Sequence, residues 1–453
     1  MADIAPLTPL RYDLERLARA GKTLADVVAP PYDVIDANQR AELAALDPHN
    51  VVNLILPKAV EGDPDGEGKY AQAAKLLTGW RSEGALVRDD EPAFYRYDQS
   101  FAPPGGGARR IRRGFLALVK LVPFSAGVVL PHERTLSGPK EDRLKLFRAT
   151  RTNLSPGFML YKDPERALDG ALARAEKVAE LATSDGVEHT LSKVSDTKAI
   201  RAIIAGVAKS SLLIADGHHR YETAVRYAGE VDASVAGAPD RAEHKWFMVF
   251  LANGDDPELV VFPTHRHVHA LPSFDYAATL QKASGLFGAK KLPDGASAEA
   301  ALEALKAAGP GSFAMCGRKG EVAILTLNRA ADLGGHPTLG PLPAVLRKTD
   351  VAILHSGLLE HVLGITPEAQ AAKTNIWYPQ DATAALARLR GGSGRSEDPG
   401  DVLFLMAATP VADVRAVAEA GHVMPQKSTF FYPKVLTGLT IHTLEPERRV
   451  ASV

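Results

Sequence analysis

The chain has 453 residues, more than the about 100 to 200 of one ordinary domain, so two or three domains are expected. An apolar share of 45% and a charged share of 24% are those of globular proteins, which excludes collagen-like and disordered classes. With 53 basic against 54 acidic residues, no run near the roughly 18 apolar residues that span a bilayer and no basic-then-apolar leader, a cytoplasmic protein without nucleic-acid or membrane partners is expected.

In chain order, 27–29 and 51–56 are short apolar runs that stop at Pro30 and Pro57, and they read as strands because a residue before proline favours extended backbone. Helices are predicted over 37–46 and 69–83. Strands 94–101 and 115–122 pair around a turn containing Gly105, Gly106 and Gly107, and the charge run Arg109-Arg110-Ile111-Arg112-Arg113 reads as a hairpin arm in solvent. A helix over 142–150, an alanine-rich helix pair or one long helix broken near Gly170 over 163–182, a short strand over 211–215 and a helix from Tyr221 follow. The runs 246–252 and 259–262 read as a second strand pair. Within 274–330, two amphipathic helices precede a hairpin of 312–316 and 321–328 that turns at Arg318-Lys319-Gly320, and Cys316 in its apolar strand reads as a packing residue. A lone cysteine excludes an intrachain disulfide and fits a reducing compartment. Val351, Leu354, Leu358, Leu359 and Val362 have helical spacing; strand 401–407, helix 411–420 and strand 435–444 close the chain, with 391–394 a surface loop. The fold class is α/β (α+β), organised as 1–270, a small insert 271–335, and 336–453 packing back on the core.

The chemistry concentrates at Asp216-Gly217-His218-His219-Arg220-Tyr221, where a strand, a glycine turn and a helix succeed one another. A helix start leaves backbone N–H groups unpaired and positive, which stabilises an anion by about 0.3 to 1 kcal/mol. Gly217 permits close approach, and His218, His219 and Arg220 add donors, so Gly217 to Tyr221 are assigned to nucleotide phosphates. Asp216 is open to three roles: proton acceptor, Mg²⁺ ligand or helix cap.

This string, 213–224, resembles the Asp-Gly-His-His-Arg signature of the ParB/sulfiredoxin superfamily, especially its free-serine kinases, in which the equivalent loop holds nucleotide phosphates. Sulfiredoxins carry a cysteine just after the glycine pair; His218 follows Gly217 here, so cysteine-based repair chemistry is not implied. Over nearly its whole length the chain resembles an uncharacterised bacterial family, domain of unknown function 1015. The strings that carry this are Ala29-Pro30-Pro31-Tyr32-Asp33-Val34-Ile35, Pro131-His132-Glu133-Arg134-Thr135, Asp142-Arg143, Asp216 to Tyr221, Thr264-His265-Arg266, and Met424 through Lys434. The superfamily resemblance implies a ParB/sulfiredoxin-like mixed-sheet core; the family resemblance implies no particular reaction.

Glu133, at the end of the strand-like run 127–130, is the candidate general base, with a structural pairing to Arg134 or Arg143 as the alternative. By analogy with the serine kinases, which use a glutamate upstream of the histidine loop, Glu133 gains weight. His132, Arg134, Arg143, His265, Arg266 and Lys427 are the substrate-binding candidates, and Lys140, Arg148 and Arg151 extend the basic segment as an exposed face or an anion contact. His265, His267 and His269 alternate along a strand and so share a face, a pattern open to metal binding. Lys427-Ser428-Thr429 lacks the glycines of a Walker loop, and a P-loop is rejected.

The leading expectation is phosphoryl transfer from ATP or ADP to a small hydroxylated metabolite, serine by analogy. His218 and either Glu133 or Asp216 would be catalytic, and Asp216 and Glu133 would hold Mg²⁺ in one shared centre. The alternatives are a hydrolase with His132, His218, His219 and His265 around Zn²⁺ or Fe²⁺, and a ParB-like nucleotide switch. Homodimerisation is left open.

Overall fold

A computed structural model describes residues 1–63, 66–103, 107–133, 137–235, 237–391 and 400–452. The chain forms two compact units. Unit 1 comprises Met1–Pro131, Thr135–Val260 and Pro433–Val453; unit 2 comprises His132–Arg134 and Val261–Tyr432.

Unit 1 is built on a nine-stranded mixed sheet. Its strands run in the order Val129–Leu130, Leu212–Asp216, Gly157–Tyr161, Trp246–Asn253, Arg110–Lys120, Phe94–Phe101, Glu188–Val194 and Glu176–Ala182, with Ile4–Ala5 pairing on Arg110–Lys120. The pairs of Leu212–Asp216 with Val129–Leu130 and of Trp246–Asn253 with Gly157–Tyr161 are parallel, and the rest are antiparallel. Trp246–Asn253 is buried along its whole length, as a central strand covered on both faces must be, and Phe94–Phe101 alternates buried and half-buried positions. Helix His218–Ser234 lies against helix Ser137–Thr150 through Lys140–Glu222 (3.0 Å), Arg226–Glu141 (3.0 Å) and Arg148–Glu230 (2.8 Å). Lys140 and Arg148 of the basic segment therefore face carboxylates on a neighbouring helix.

Unit 2 contains an antiparallel six-stranded sheet in the order Phe287–Lys291, Val322–Leu327, Ser312–Gly317, Val402–Met406, Arg266–Val268 and Ile376–Trp377. Helices Ala298–Ala308 and Ala382–Leu389 cover one apolar face. The hairpin foreseen around Arg318-Lys319-Gly320 is present, and Cys316 is a buried packing residue.

The α+β class and the mixed sheet match the sequence reading, as do helices Ala37–Leu46 and Gly68–Ser82. Several local readings are corrected. The run 51–56 is a short buried helix, Val52–Ile55, whose start is fixed by Asn50 Oδ1 accepting from the Val52 amide (2.9 Å); a short apolar run has no period that separates the two states. Glu176–Ala182 is a strand, because Glu188–Val194 offers it a ladder that outweighs the helix preference of its alanines and glutamates. Trp246–Asn253 and Val260–Phe262 do not pair with each other; the latter meets Phe430–Tyr432. The runs 27–29 and 435–444 give isolated bridges at Ala29–Thr437 and Leu10–Ile441 and one two-residue strand, His442–Thr443, rather than continuous strands. Arg112 is not in solvent: it is 1% exposed. Among the described residues no helix is long and apolar enough to cross a membrane.

Candidate functional site

In unit 1, strand Leu212–Asp216 delivers the chain to helix His218–Ser234 through a single left-handed residue, Gly217 (φ 94°). The register against Gly157–Tyr161 slips between Ile214 and Asp216, a bulge at Ala215 that sets Asp216 opposite Phe158. Bulges re-aim the side chains that follow them. Gly217 is needed twice over. A β-carbon there would carry the wrong backbone sign, and it would lie 3.0 Å from Arg220 Nε, because the Arg220 guanidinium folds back beneath the turn.

Asp216 sits between two cations. Lys434 Nζ is 3.2 Å from its Oδ2 and Arg220 Nη2 is 3.5 Å from its Oδ1. Burial alone would raise the Asp216 carboxyl, but Lys434 and Arg220 hold it far below the usual carboxylate range. Arg220 is itself buried, and its Nη1 donates to the Pro156 carbonyl. Lys434 is steadied by its own backbone, whose carbonyl accepts from Gln99 Nε2 (2.9 Å). Gln99 Oε1 in turn accepts from Arg112 Nε (3.1 Å) and Nη2.

Arg112 is the unusual member of this chain. Its guanidinium carbon is 4.7 Å from the Phe158 ring centroid and 5.3 Å from that of Phe250. No carboxylate lies within ion-pair distance of it among the described residues, and its buried Nη1 meets no hydrogen-bond acceptor. Desolvation pulls it down to about 9, against the pull of Tyr97 and Asp216 in the other direction. Two cations, Arg220 and Lys434, thus flank the Asp216 carboxylate at a helix start where Gly217 and His219 are half-buried, and Arg112 connects to Lys434 through Gln99.

The remaining unit 1 candidates take other positions. The Tyr221 hydroxyl donates to the Val122 carbonyl (2.8 Å) and its ring stacks on Phe124, so it packs the core side of the helix. Arg143 is buried, giving Nη1 to the Ile55 carbonyl (2.7 Å) and Nε to Asp142 (2.9 Å), with its guanidinium 4.2 Å from the Tyr32 ring centroid. Burial would lift the Asp142 carboxyl; Arg143, Tyr70 and Lys69 bring it down to about 2. Tyr32 is raised by burial and lies in the field of Arg220, Arg143 and Asp216.

The other candidates lie in unit 2. Glu133 Oε1 accepts from the Ser428 amide (3.0 Å), and His132 Nε2 meets Thr429 Oγ1 (2.9 Å) while its carbonyl accepts from Met424 N (2.7 Å). Arg266 is fully buried, and its Nη2 donates to the Lys427 carbonyl (3.2 Å). His265 Nδ1 accepts from the Met406 amide (3.3 Å), and burial followed by Arg266 lowers its imidazole to about 4, so it is neutral. His267 and His269 stack on Trp377 at 5.2 and 4.1 Å. Arg134 lies outside the described residues. Among the described residues no group of three or more His, Cys, Asp or Glu is arranged to hold a metal ion.

Sequence reasoning missed Tyr32, Gln99, Arg112 and Lys434. Tyr32 and Lys434 were legible, since each belongs to a string that carried the family resemblance; Arg112 was hidden within a charge run.

The family's sequence profile matches residues 4–352. The chain belongs to DUF1015, a family described as protein of unknown function. Of the strings by which this DUF1015 chain resembles its family, those holding Tyr32, Asp142-Arg143 and Asp216 to Tyr221 belong to unit 1 and Thr264-His265-Arg266 to unit 2, while Pro131 to Thr135 and Met424 to Lys434 are divided between the two, the last lying beyond the matched residues. No curated protein is recognisably similar to the chain. Among solved structures it is similar to a mutant free serine kinase in complex with ADP (12% identity, TM-score 0.37), covering 73% of this chain and 92% of that one. It is also similar to a free serine kinase in complex with AMP (12%, 0.36, covering 73% and 92%) and to a conserved hypothetical protein from Pyrococcus furiosus (14%, 0.35, covering 73% and 96%).

Proposed function

We propose that unit 1 binds a nucleotide, ATP or ADP, by its phosphates, and that the protein is a phosphotransferase acting on a small hydroxylated metabolite, with serine the first acceptor to try. The observation that carries this reading is Arg112, a fully buried guanidinium with an unpartnered Nη1 and no counter-ion, in a cluster whose one carboxylate already faces two other cations. A buried charge without an anion is costly, and a phosphate relieves that cost. The amides that open helix His218–Ser234 add a positive end to the same cluster.

In this reading the amide groups of His218 and His219 and the His219 side chain meet the phosphates, while Arg112 and Lys434 supply the positive field. Asp216 fixes Lys434 and Arg220 in place. A carboxylate neutralised by two cations is a weak base and a poor Mg²⁺ ligand, so neither proton transfer nor metal binding is assigned to it.

The test is calorimetric titration of the full chain with ADP and ATP, followed by transfer of radiolabelled phosphate from ATP to serine and other hydroxylated acceptors. Binding of ADP that weakens at least about tenfold in His219→Ala supports the site, one charge-assisted hydrogen bond being of that size. A parent protein that takes up neither nucleotide overturns the reading.

A further inference from the structure

The nine-stranded sheet of unit 1 carries a buried polar row that includes Arg112. His189 lies directly opposite Gln99, and Gln99 directly opposite Arg112, on three neighbouring antiparallel strands, so the three side chains share one face. All three are buried. Neighbouring strands are about 4.8 Å apart, which puts the α-carbons of His189 and Arg112 about 10 Å from each other.

The His189 ring is held at both ends. Its Nδ1 meets the Tyr97 hydroxyl (2.7 Å) and its Nε2 meets Thr183 Oγ1 (3.0 Å). Thr183 has one hydroxyl proton, which goes to Asp185 Oδ1 (2.6 Å) or to the Val187 carbonyl (3.2 Å). Thr183 Oγ1 therefore accepts from Nε2–H, and Tyr97, a neutral phenol kept so by burial, donates to Nδ1. Asp185 is exposed and links the ring to solvent through Thr183. Leu181, opposite His189 on Glu176–Ala182, adds no charge, so Asp185 and Arg112 are the charged groups that act on the ring. Burial holds the imidazole down to about 4; Asp185 pulls it up and Arg112 presses it further down. A second proton would also turn the Tyr97 hydroxyl away from Nδ1.

We infer that anion binding at Arg112 is coupled to proton uptake at His189, so that unit 1 holds nucleotide more tightly as the solution is acidified. This rests on the nucleotide reading given above. A phosphate at Arg112 cancels the guanidinium charge that helps keep the second proton off the ring. At an effective dielectric constant of about 20, one unit charge about 10 Å away is worth roughly one pH unit. The proton comes from solvent by way of Asp185 and Thr183, and the ring becomes an imidazolium that donates from both nitrogens. His189 touches no phosphate; it acts through Arg112.

The test is an NMR titration of the imidazole Cε1–H of His189 in the full chain, from pH 7.5 to pH 4.5, without ADP and with ADP saturating at every pH. The resonance is the one lost in His189→Gln, and its midpoint is expected to rise by roughly one unit with ADP. At pH 5 about a tenth of free and about half of bound molecules then carry the proton, so ADP binding takes up about 0.4 proton more in the parent than in His189→Gln. Heats of ADP binding in two buffers of different ionisation enthalpy read this difference, from which the protons taken up by ADP and by every other group cancel. A merely structural role for His189 would weaken ADP equally at pH 7.5 and pH 5; coupling leaves His189→Gln level with the parent at pH 7.5 and about twofold weaker at pH 5. ADP bound with the resonance unmoved and equal uptake in both proteins overturns the coupling and leaves the nucleotide reading standing. A parent that takes up no ADP overturns both.

Discussion

Lys434 and Asp216 lie 218 residues apart in sequence, and their charged atoms meet at 3.2 Å. The contact places the last residue of the Met424 to Lys434 string directly against the helix start, and it makes Asp216 an internal counter-ion rather than a free acid or base. Removing either partner strands the other in partly desolvated surroundings.

Replacing Lys434 with methionine is expected to destabilise unit 1 by about 1.5 to 3 kcal/mol, the range for a hydrogen bond to a charged group. The parent's Asp216 is depressed in the folded state, so its contribution is complete above the ordinary aspartate pKa of about 4 and fades as pH falls below it. Urea denaturation at pH 7 and pH 3 checks both claims. The loss between those values should be smaller in Lys434→Met than in the parent; an equal loss would remove Lys434 as the cause.

Arg112→Met is expected to part stability from binding. A well-packed methionine between Phe158 and Phe250 replaces a buried cation that has no counter-ion, so stability stays level or rises by up to about 4 kcal/mol. ADP affinity falls at least about tenfold, because the cation is what the phosphate answers. Thermal unfolding and ADP titration of the same sample decide it, and a variant that unfolds early while still binding ADP contradicts the assignment.

Gly217→Ala meets a left-handed backbone that disfavours alanine by about 1 to 2 kcal/mol, and a β-carbon 3.0 Å from Arg220 Nε. Lower unfolding temperature and weaker ADP binding are both expected. A smaller cost of Gly217→Ala in an Arg220→Ala background than in the parent would confirm that the guanidinium is what the methyl group meets.

Two buried histidines predict acid sensitivity in the two units. Desolvation lowers His189 in unit 1 and His265 in unit 2 to about 4 each. An unfolded imidazole titrates near about 6.5, so between that value and about 4 the unfolded chain binds the extra proton. Stability is therefore full above about 6.5 and falls as the solution is acidified toward about 4, by up to about 3 kcal/mol per histidine. Stability curves from pH 8 to 4.5 should flatten for unit 1 in His189→Gln and for unit 2 in His265→Gln. Unchanged slopes would show that other groups set the dependence.

The amino-acid sequence by itself determined the elements whose signals are local. Asp36 and Asp13 cap helices through their own side chains, the alternation of Phe94–Phe101 marks a strand, and Gly217 marks the turn from a strand into a helix. Those features depend on neighbours one to four residues away. Residues that matter through distant partners were not legible in the same way. Arg112 looks like any member of a charge run until Gln99, Phe158 and Phe250 close around it, and Glu176–Ala182 looks helical until Glu188–Val194 offers a ladder. Only the tertiary structure decided that Lys434 faces Asp216, that Arg220 turns inward to Pro156, and that Glu133 belongs with Ser428 in unit 2. The reason is physical: burial and ion pairing are set by which groups displace water from one another, and that partnership is fixed by the packing of segments far apart in the chain.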